Sequence, residues 1–278
     1  MKLGISTCTY TWNFGVKNYP APQTPYTVEK LLEIAAGYNI EVVQILDNIV
    51  PIYNFPEKKL RALRDSAKEK GIQLEIGTRG ITLPLLKQYL QIARLLGANL
   101  VRTILDGDHA SPSLNQAIEW IQKILPDYKA NGISLAIENH DLRHVAELRK
   151  LADTINDPNF GICIDCVNSL GIQECQQEVL DTLFPQTINF HYKDFIIQRT
   201  DYDMGFTVKG CIAGQGMTDM DYILRNRTHA KRDFNIILEQ WMPWLGSIQK
   251  TAAVERDRAK MSILYLKSKL ENNSKDDP

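Results

Sequence analysis

Residues 134–140 read SLAIENH, a short apolar stretch that breaks into polar residues at Glu138, and three later stretches share its form. They are FGICIDCVN (160–168), TINFHYKDF (187–195) and NIILEQW (235–241). Apolar runs of this length, set apart by helix-like segments, read as strands of a parallel sheet buried on both faces. Each carries a metal-type ligand towards its downstream end: Glu138, Asp165, His191 and Glu239. Side chains placed there stand at the rim of the sheet, where four of them can converge on one ion. A single carboxylate at a strand end is equally a helix cap or a surface ion-pair partner. Four in the same register predict a metal centre.

The same rhythm extends upstream. Strand-like runs near Lys2–Cys8, Glu41–Leu46, Gln73–Ile76 and Leu100–Leu105 precede the four above. Helix-like stretches alternate with the strands: Val28–Tyr38, Glu57–Lys70, Leu83–Leu96, Leu114–Asn131, Arg143–Ile155, Ile172–Leu183, Met220–His229 and Ser247–Leu270. Gly37, Gly71, Gly97 and Gly132 fall where helices should stop, and Ser111-Pro112 predicts an N-cap and first helical residue. Eight strand–helix units in about 250 residues match a single (β/α)8 TIM barrel, an α/β fold, with a doubly wound sheet as the alternative. The barrel is expected over residues 1–272, with a polar, frayed tail at 273–278. In such barrels the active site forms at the C-terminal ends of the strands, where all four ligands lie.

Composition narrows the partners. The chain has 278 residues, 44% hydrophobic and 23% charged, with a formal net charge of −1. That balance gives no broad attraction to polyanions, which argues against nucleic acid and anionic membranes. The start, MKLGISTCTYTW, lacks the form of a leader peptide, and no run approaches the roughly 18 apolar residues of a membrane span. A cytoplasmic protein acting on small molecules is expected. The five cysteines are thinly spread, which suits a reducing compartment. Cys163 and Cys166 spell CxxC within a strand, where residues three apart point to opposite faces, so both read as small buried hydrophobes.

The segments AIENH, CIDCVNS, FHYKDF and LEQW, taken in order, resemble the metal-binding segments of the xylose isomerase-like TIM barrel superfamily. That superfamily includes sugar isomerases, ketose 3-epimerases and endonuclease IV-type enzymes. The resemblance implies one divalent ion, Mn²⁺ or Mg²⁺ with Co²⁺ a further candidate, held by Glu138, Asp165, His191 and Glu239. Three carboxylates and one imidazole form a hard, oxygen-rich site that suits such ions. A metal there would polarise a sugar carbonyl and stabilise an enediolate. Glu138 and Glu239, on opposite sides of the reacting carbon, could then move a proton from one face to the other. The first reading is therefore a sugar or sugar-phosphate isomerase or epimerase.

Other residues pull towards an alternative. Ketose epimerases of the superfamily tend to carry histidine three residues after the metal-binding aspartate, and here that position is Asn168. Arg79, Arg102, Lys193 and Arg199 fall at or near strand ends, and charges inside apolar runs are costly unless paired or working. A neutral sugar does not need this much positive charge, whereas a sugar acid does, because arginine forks a carboxylate. The string EIGTRGI, LVRTILD, AIENHD and CVNSLG looks closer to members handling oxidised sugars, of the 3-oxo-isoapionate decarboxylase type. There the enediolate would follow loss of CO₂. Lys193 joins Glu138 and Glu239 as a catalytic candidate, and Arg79, Arg102, Asn139, His140, Asn168 and Arg199 are the substrate-binding candidates. An apurinic-site endonuclease and a non-catalytic sugar-binding barrel rank lower, the former because five histidines and no basic face fit it poorly.

Four further expectations complete the reading. The stretch 200–218, with glycines at 205, 210, 214 and 216, is expected to be a lid, and its GQGMTD could cradle a phosphate. DGDH (106–109) imitates a metal loop but is read mainly as a turn. Trp12, Phe14, Trp241 and Trp244 could wall the pocket or bury a contact. An exposed Met242-Pro243-Trp244 suggests a homo-oligomer, a dimer or tetramer.

Overall fold

The computed structural model describes residues 1–107 and 110–273. Eight parallel strands close into a barrel in the order β1-β10-β7-β6-β5-β4-β3-β2. They are β1 (Leu3–Ser6), β2 (Val42–Leu46), β3 (Gln73–Gly77), β4 (Leu100–Thr103), β5 (Ser134–Glu138), β6 (Phe160–Asp165), β7 (Thr187–Tyr192) and β10 (Asn235–Leu238). A short α1 (Thr11–Phe14) follows β1. The outer ring is α2 (Val28–Gly37), α3 (Glu57–Glu69), α4 (Leu83–Leu96), α5 (Leu114–Ala130), α6 (Val145–Ile155), α7 (Gln176–Leu183), α8 (Met220–Asn226) and α9 (Ile248–Asn273). The expected TIM barrel is therefore the fold. Of the tail expected at 273–278, Asn273 is the last residue of α9 and the rest lies outside the described residues.

Alternation along each strand divides the core into two layers. Ile5, Ile45, Ile76, Val101, Ile137, Ile164, Phe190 and Leu238 point outward and join Leu31, Leu63, Tyr89, Ile121, Leu148, Leu180 and Ile263 of the helices in one apolar cluster. The intervening residues point into the barrel, and many are polar: Ser6, Gln44, Glu75, Arg102, Glu138, Asp165, Asn189 and His191 are all buried. Register sets them side by side, with Gln44 opposite Glu75, Asp165 opposite His191, and Asn189 opposite Asn235.

Three local expectations are corrected. The N-cap of α5 is Ser113, whose side chain accepts from Gln116 N. Ser111 instead bonds to Asp106, which also takes a two-point clamp from Arg143 with both contacts at 2.8 Å. That commitment makes Asp106 part of an ion pair, while Asp108 and His109 of the DGDH stretch lie outside the described residues. The second concerns the glycine pivots expected in the 200–218 stretch, part of which is an ordered hairpin that lines the pocket through Val208, Lys209 and Gly210. Residues 195–210 form an antiparallel hairpin of β8 (Phe195–Arg199) and β9 (Phe206–Gly210).

The later glycines of that stretch serve close approach. A Cβ on Gly210 would lie 2.2 Å from Trp241 O, and one on Gly216 would lie 2.2 Å from Asp194 Oδ1. The third correction follows from the second contact. Asp194 accepts N–H bonds from Phe195, Gly214, Gly216 and Thr218 at 2.8 to 3.0 Å, so the expected phosphate cradle is filled by the chain's own carboxylate.

The Met242-Pro243-Trp244 segment is exposed only in part. Met242 is buried with Trp12, Ile248 and Ala252, and Trp244 packs against Trp12 and Tyr19 at ring separations of 5.3 and 5.0 Å. Much of the apolar surface that suggested an oligomer is thus taken up in internal packing.

Candidate metal centre and active-site pocket

Glu138, Asp165 and His191 come from β5, β6 and β7, and Glu239 immediately follows β10; all four are buried at the C-terminal end of the barrel. The imidazole is the hub. His191 Nδ1 faces Glu138 Oε2 at 3.1 Å, Glu239 Oε1 at 3.4 Å and Asp165 Oδ2 at 4.0 Å. That nitrogen is fully buried and makes no hydrogen bond. A buried ring nitrogen with no hydrogen bond, ringed by three carboxylates, fits a cation, which would take the nitrogen lone pair and the carboxylate oxygens together. Cys163 also lies within reach of Glu138 and His191, its thiol pushed up to about 11 by burial, and the other donors around Nδ1 are carboxylate oxygens.

Two cations are threaded between the acids. Arg102 pairs through Nε with Glu138 and reaches Thr78 O at 3.3 Å. Lys193 pairs with Asp165 and lies 3.0 Å from Glu239 Oε2 and 3.4 Å from Asn168 Oδ1. Asn168 in turn donates to Glu138 Oε1 at 3.0 Å. Burial acts first to raise the Glu138 carboxyl, yet Arg102, His191 and Lys193 hold it well below the usual carboxylate range. Glu239 is lowered in the same manner, His191 and Lys193 overcoming its burial. Burial works to lower the Lys193 ammonium, and Asp165, Glu239 and Glu138 hold it well above the usual lysine range.

The cluster floors a cavity of about 490 Å³ at the barrel mouth. Arg79, Arg102, His140, Asn168, Lys193, Glu138 and Glu239 all line it, and Arg79 stands exposed at its entrance. Trp12 and Trp241 wall it, as two of the four aromatic candidates.

Two candidates fall elsewhere. Asn139 points out of the barrel, donating to Asp165 O at 2.8 Å and Ser169 Oγ at 3.0 Å and accepting from Asp165 N at 2.7 Å. It anchors the Asp165 backbone and does not line the pocket. Arg199 lies on the hairpin, bonded to Asp203 O at 3.0 Å and stacked over Phe206 at 4.8 Å. Ser6 and Gln44 are contacts that the sequence reading missed. Ser6 Oγ donates to Glu239 Oε1 at 3.2 Å, and Gln44 Oε1 lies 2.7 Å from His191 Nε2.

The profile of the xylose isomerase-like TIM barrel family matches residues 9–267. The chain belongs to that family. Within the xylose isomerase-like TIM barrels, a relative over full length is 3-oxo-isoapionate decarboxylase of Pectobacterium atrosepticum, 30% identical across 96% of this chain and 95% of its own. The structure of D-psicose 3-epimerase with D-tagatose from Clostridium cellulolyticum H10 superposes with a TM-score of 0.71 at 12% identity, covering 98% of this chain and 99% of that one. A xylose isomerase-like TIM barrel protein from Mycobacterium smegmatis, solved in complex with magnesium, superposes with a TM-score of 0.68 at 13% identity, over 94% and 96% of the two chains. At these identities the two structures establish likeness of fold. Among the described residues no helix is long and apolar enough to cross a membrane.

Proposed function

We propose that the protein is a divalent-metal-dependent decarboxylase of a 3-oxo sugar acid. The observation that carries this is the burial of Arg102 and Lys193 inside the carboxylate cluster, with Arg79 at the pocket entrance. With His191 neutral, as a metal-binding imidazole must be, three carboxylates against these two cations leave the cluster with one negative charge in excess. A divalent ion would turn that into one positive charge in excess, which a monoanionic substrate neutralises and a neutral ketose does not. The full-length relative supports the same choice.

Glu138, Asp165, His191 Nδ1 and Glu239 would hold the ion, and when bound it supplies Lewis-acid stabilisation of negative charge developing on substrate oxygens. The chain's own groups supply the rest. Arg79 and the free face of the Arg102 guanidinium take the substrate carboxylate near the pocket mouth. The bond between that carboxylate and the adjacent carbon breaks, CO₂ departs, and the electron pair moves into the 3-oxo carbonyl to give an enediolate. Lys193, held protonated by its acidic neighbours, returns a proton to the carbon. Trp12 and Trp241 limit water around the carbanionic carbon.

A second reading, 3-epimerisation or isomerisation of a ketose, is favoured by the origin of Glu138 and Glu239 from strands on either side of β7, with both carboxylates near His191 Nδ1. Those carboxylates would remove and return a proton on the two faces of one carbon. One experiment separates the readings. The Mg²⁺- or Mn²⁺-reconstituted protein is followed by ¹³C NMR in D₂O with a panel of 3-oxo sugar acids and neutral ketoses. Bicarbonate from an acid supports the decarboxylase, and deuterium beside an intact carbonyl skeleton supports the second reading.

A further inference from the structure

The inward layer directly beneath the metal centre is polar. Gln44 Oε1 faces His191 Nε2 at 2.7 Å, and Gln44 Nε2 donates to Glu75 Oε2 at 3.0 Å and Asn189 Oδ1 at 3.2 Å. Asn189 Nδ2 donates to the same Glu75 oxygen at 2.9 Å, and Asn235 Nδ2 donates to Glu75 Oε1 at 2.6 Å. Glu75 is 1% exposed and touches none of the four ligands. Its role is not explained by the pocket chemistry.

With Glu75 ionised, these contacts have one consistent assignment. Glu75 Oε2 and Asn189 Oδ1 are acceptors, so the Gln44 amide must turn its NH₂ towards them and its oxygen towards His191. The reversed amide would set oxygen against oxygen at 3.0 and 3.2 Å. With the Gln44 oxygen facing it, His191 Nε2 carries a hydrogen, so Nδ1, which faces the three carboxylates, is the ring nitrogen available to an ion.

We infer that Glu75, acting through Gln44, is a positioning residue that fixes His191 with Nδ1 as the metal-binding nitrogen. The inference rests on the metal-centre reading and extends it to a residue two hydrogen bonds away. Glu75 sets the direction of the relay because it accepts from every amide around it, whereas a glutamine there brings a donor against donors. The swap of the two side chains restores the direction: a glutamate at 44 accepts from His191 and from a glutamine at 75.

The test is Mn²⁺ affinity, read from the free-ion EPR signal, together with thermal unfolding of each variant. The wild-type protein should bind one Mn²⁺. Glu75→Gln should weaken binding about 10- to 100-fold, the usual range for loss of an outer-shell partner. The double variant Glu75→Gln/Gln44→Glu should recover affinity to within a few-fold of wild type. Gln44→Met, which removes only the acceptor, should lose affinity as Glu75→Gln does, and it carries the test if Glu75→Gln does not fold. Wild-type affinity in Glu75→Gln or in Gln44→Met overturns the inference, as does a swap no better than Glu75→Gln. Absence of Mn²⁺ binding by the wild type overturns the metal-centre reading itself and the inference with it.

Discussion

Lys193 Nζ lies 3.0 Å from Glu239 Oε2 and also pairs with Asp165, so a single ammonium joins acids from two non-adjacent strands across the floor of the pocket. Removing it as Lys193→Met leaves buried carboxylates facing one another uncompensated. The metal-free variant should lose about 3 kcal/mol of stability. Mn²⁺ should raise its melting temperature more than it raises that of the wild type, and decarboxylation should fall at least about 100-fold. Calorimetric melts with and without Mn²⁺ check the first expectation, and CO₂ release checks the second.

Arg102→Lys keeps the charge but loses the planar guanidinium that pairs with Glu138 and, in the proposed reaction, would also meet the substrate carboxylate. The expected result is a loss of kcat/KM of about 10- to 100-fold on the sugar acid, expressed mainly in KM. Steady-state rates on the acid decide it; an unchanged KM would mean that the acid is held elsewhere.

The rim of the barrel was readable because apolar runs end sharply at charged residues, and Arg102 because a charge inside such a run demands a partner. Parity along the strand separates what was read well from what was not. Glu138 points inward, so Asn139 must point outward, and its assignment to substrate ignored that alternation. The same parity places Gln44 and Glu75 inside, two polar residues in VVQIL and QLEIG that a count of inward positions would have flagged. Arg199 was misplaced for a different reason. The run after His191 leaves the barrel at Lys193 and starts a hairpin, and nothing in the local composition marks that departure. The packing of Trp244 on Trp12 joins residues far apart in sequence, which no local pattern discloses.

Asp194 holds the 214–218 turn by accepting four backbone N–H groups, its own neighbour Phe195 included. Asp194→Ala orphans several of these donors at once. A destabilisation of about 2–4 kcal/mol is expected, with little change in Mn²⁺ affinity of the folded protein. Urea unfolding and metal titration on the same variant test both halves.

Glu255 is buried beneath α1, where it accepts from Trp12 N and Asn13 N, both at 2.9 Å. Burial pushes its carboxyl up from 4.5 to about 7. The folded state therefore holds this proton more tightly than the unfolded chain. The stability so contributed is fully present below pH 4.5 and is lost as pH rises through about 7. Its size is of order 3 kcal/mol. Between pH 5 and 8 the wild type should lose more unfolding free energy than Glu255→Gln, as read by denaturant titration at each pH. Parallel pH profiles for the two proteins would refute this.

The central claim is that Glu138, Asp165, His191 and Glu239 bind one divalent ion on which turnover depends. Anomalous diffraction from crystals grown with Mn²⁺, recorded on both sides of the manganese absorption edge, tests it most directly. One strong peak is expected among the four side chains, on the Nδ1 side of His191, with loss of CO₂ release when the same protein is stripped of metal. Saturating Mn²⁺ with no peak there, or full turnover of the stripped protein, would contradict it.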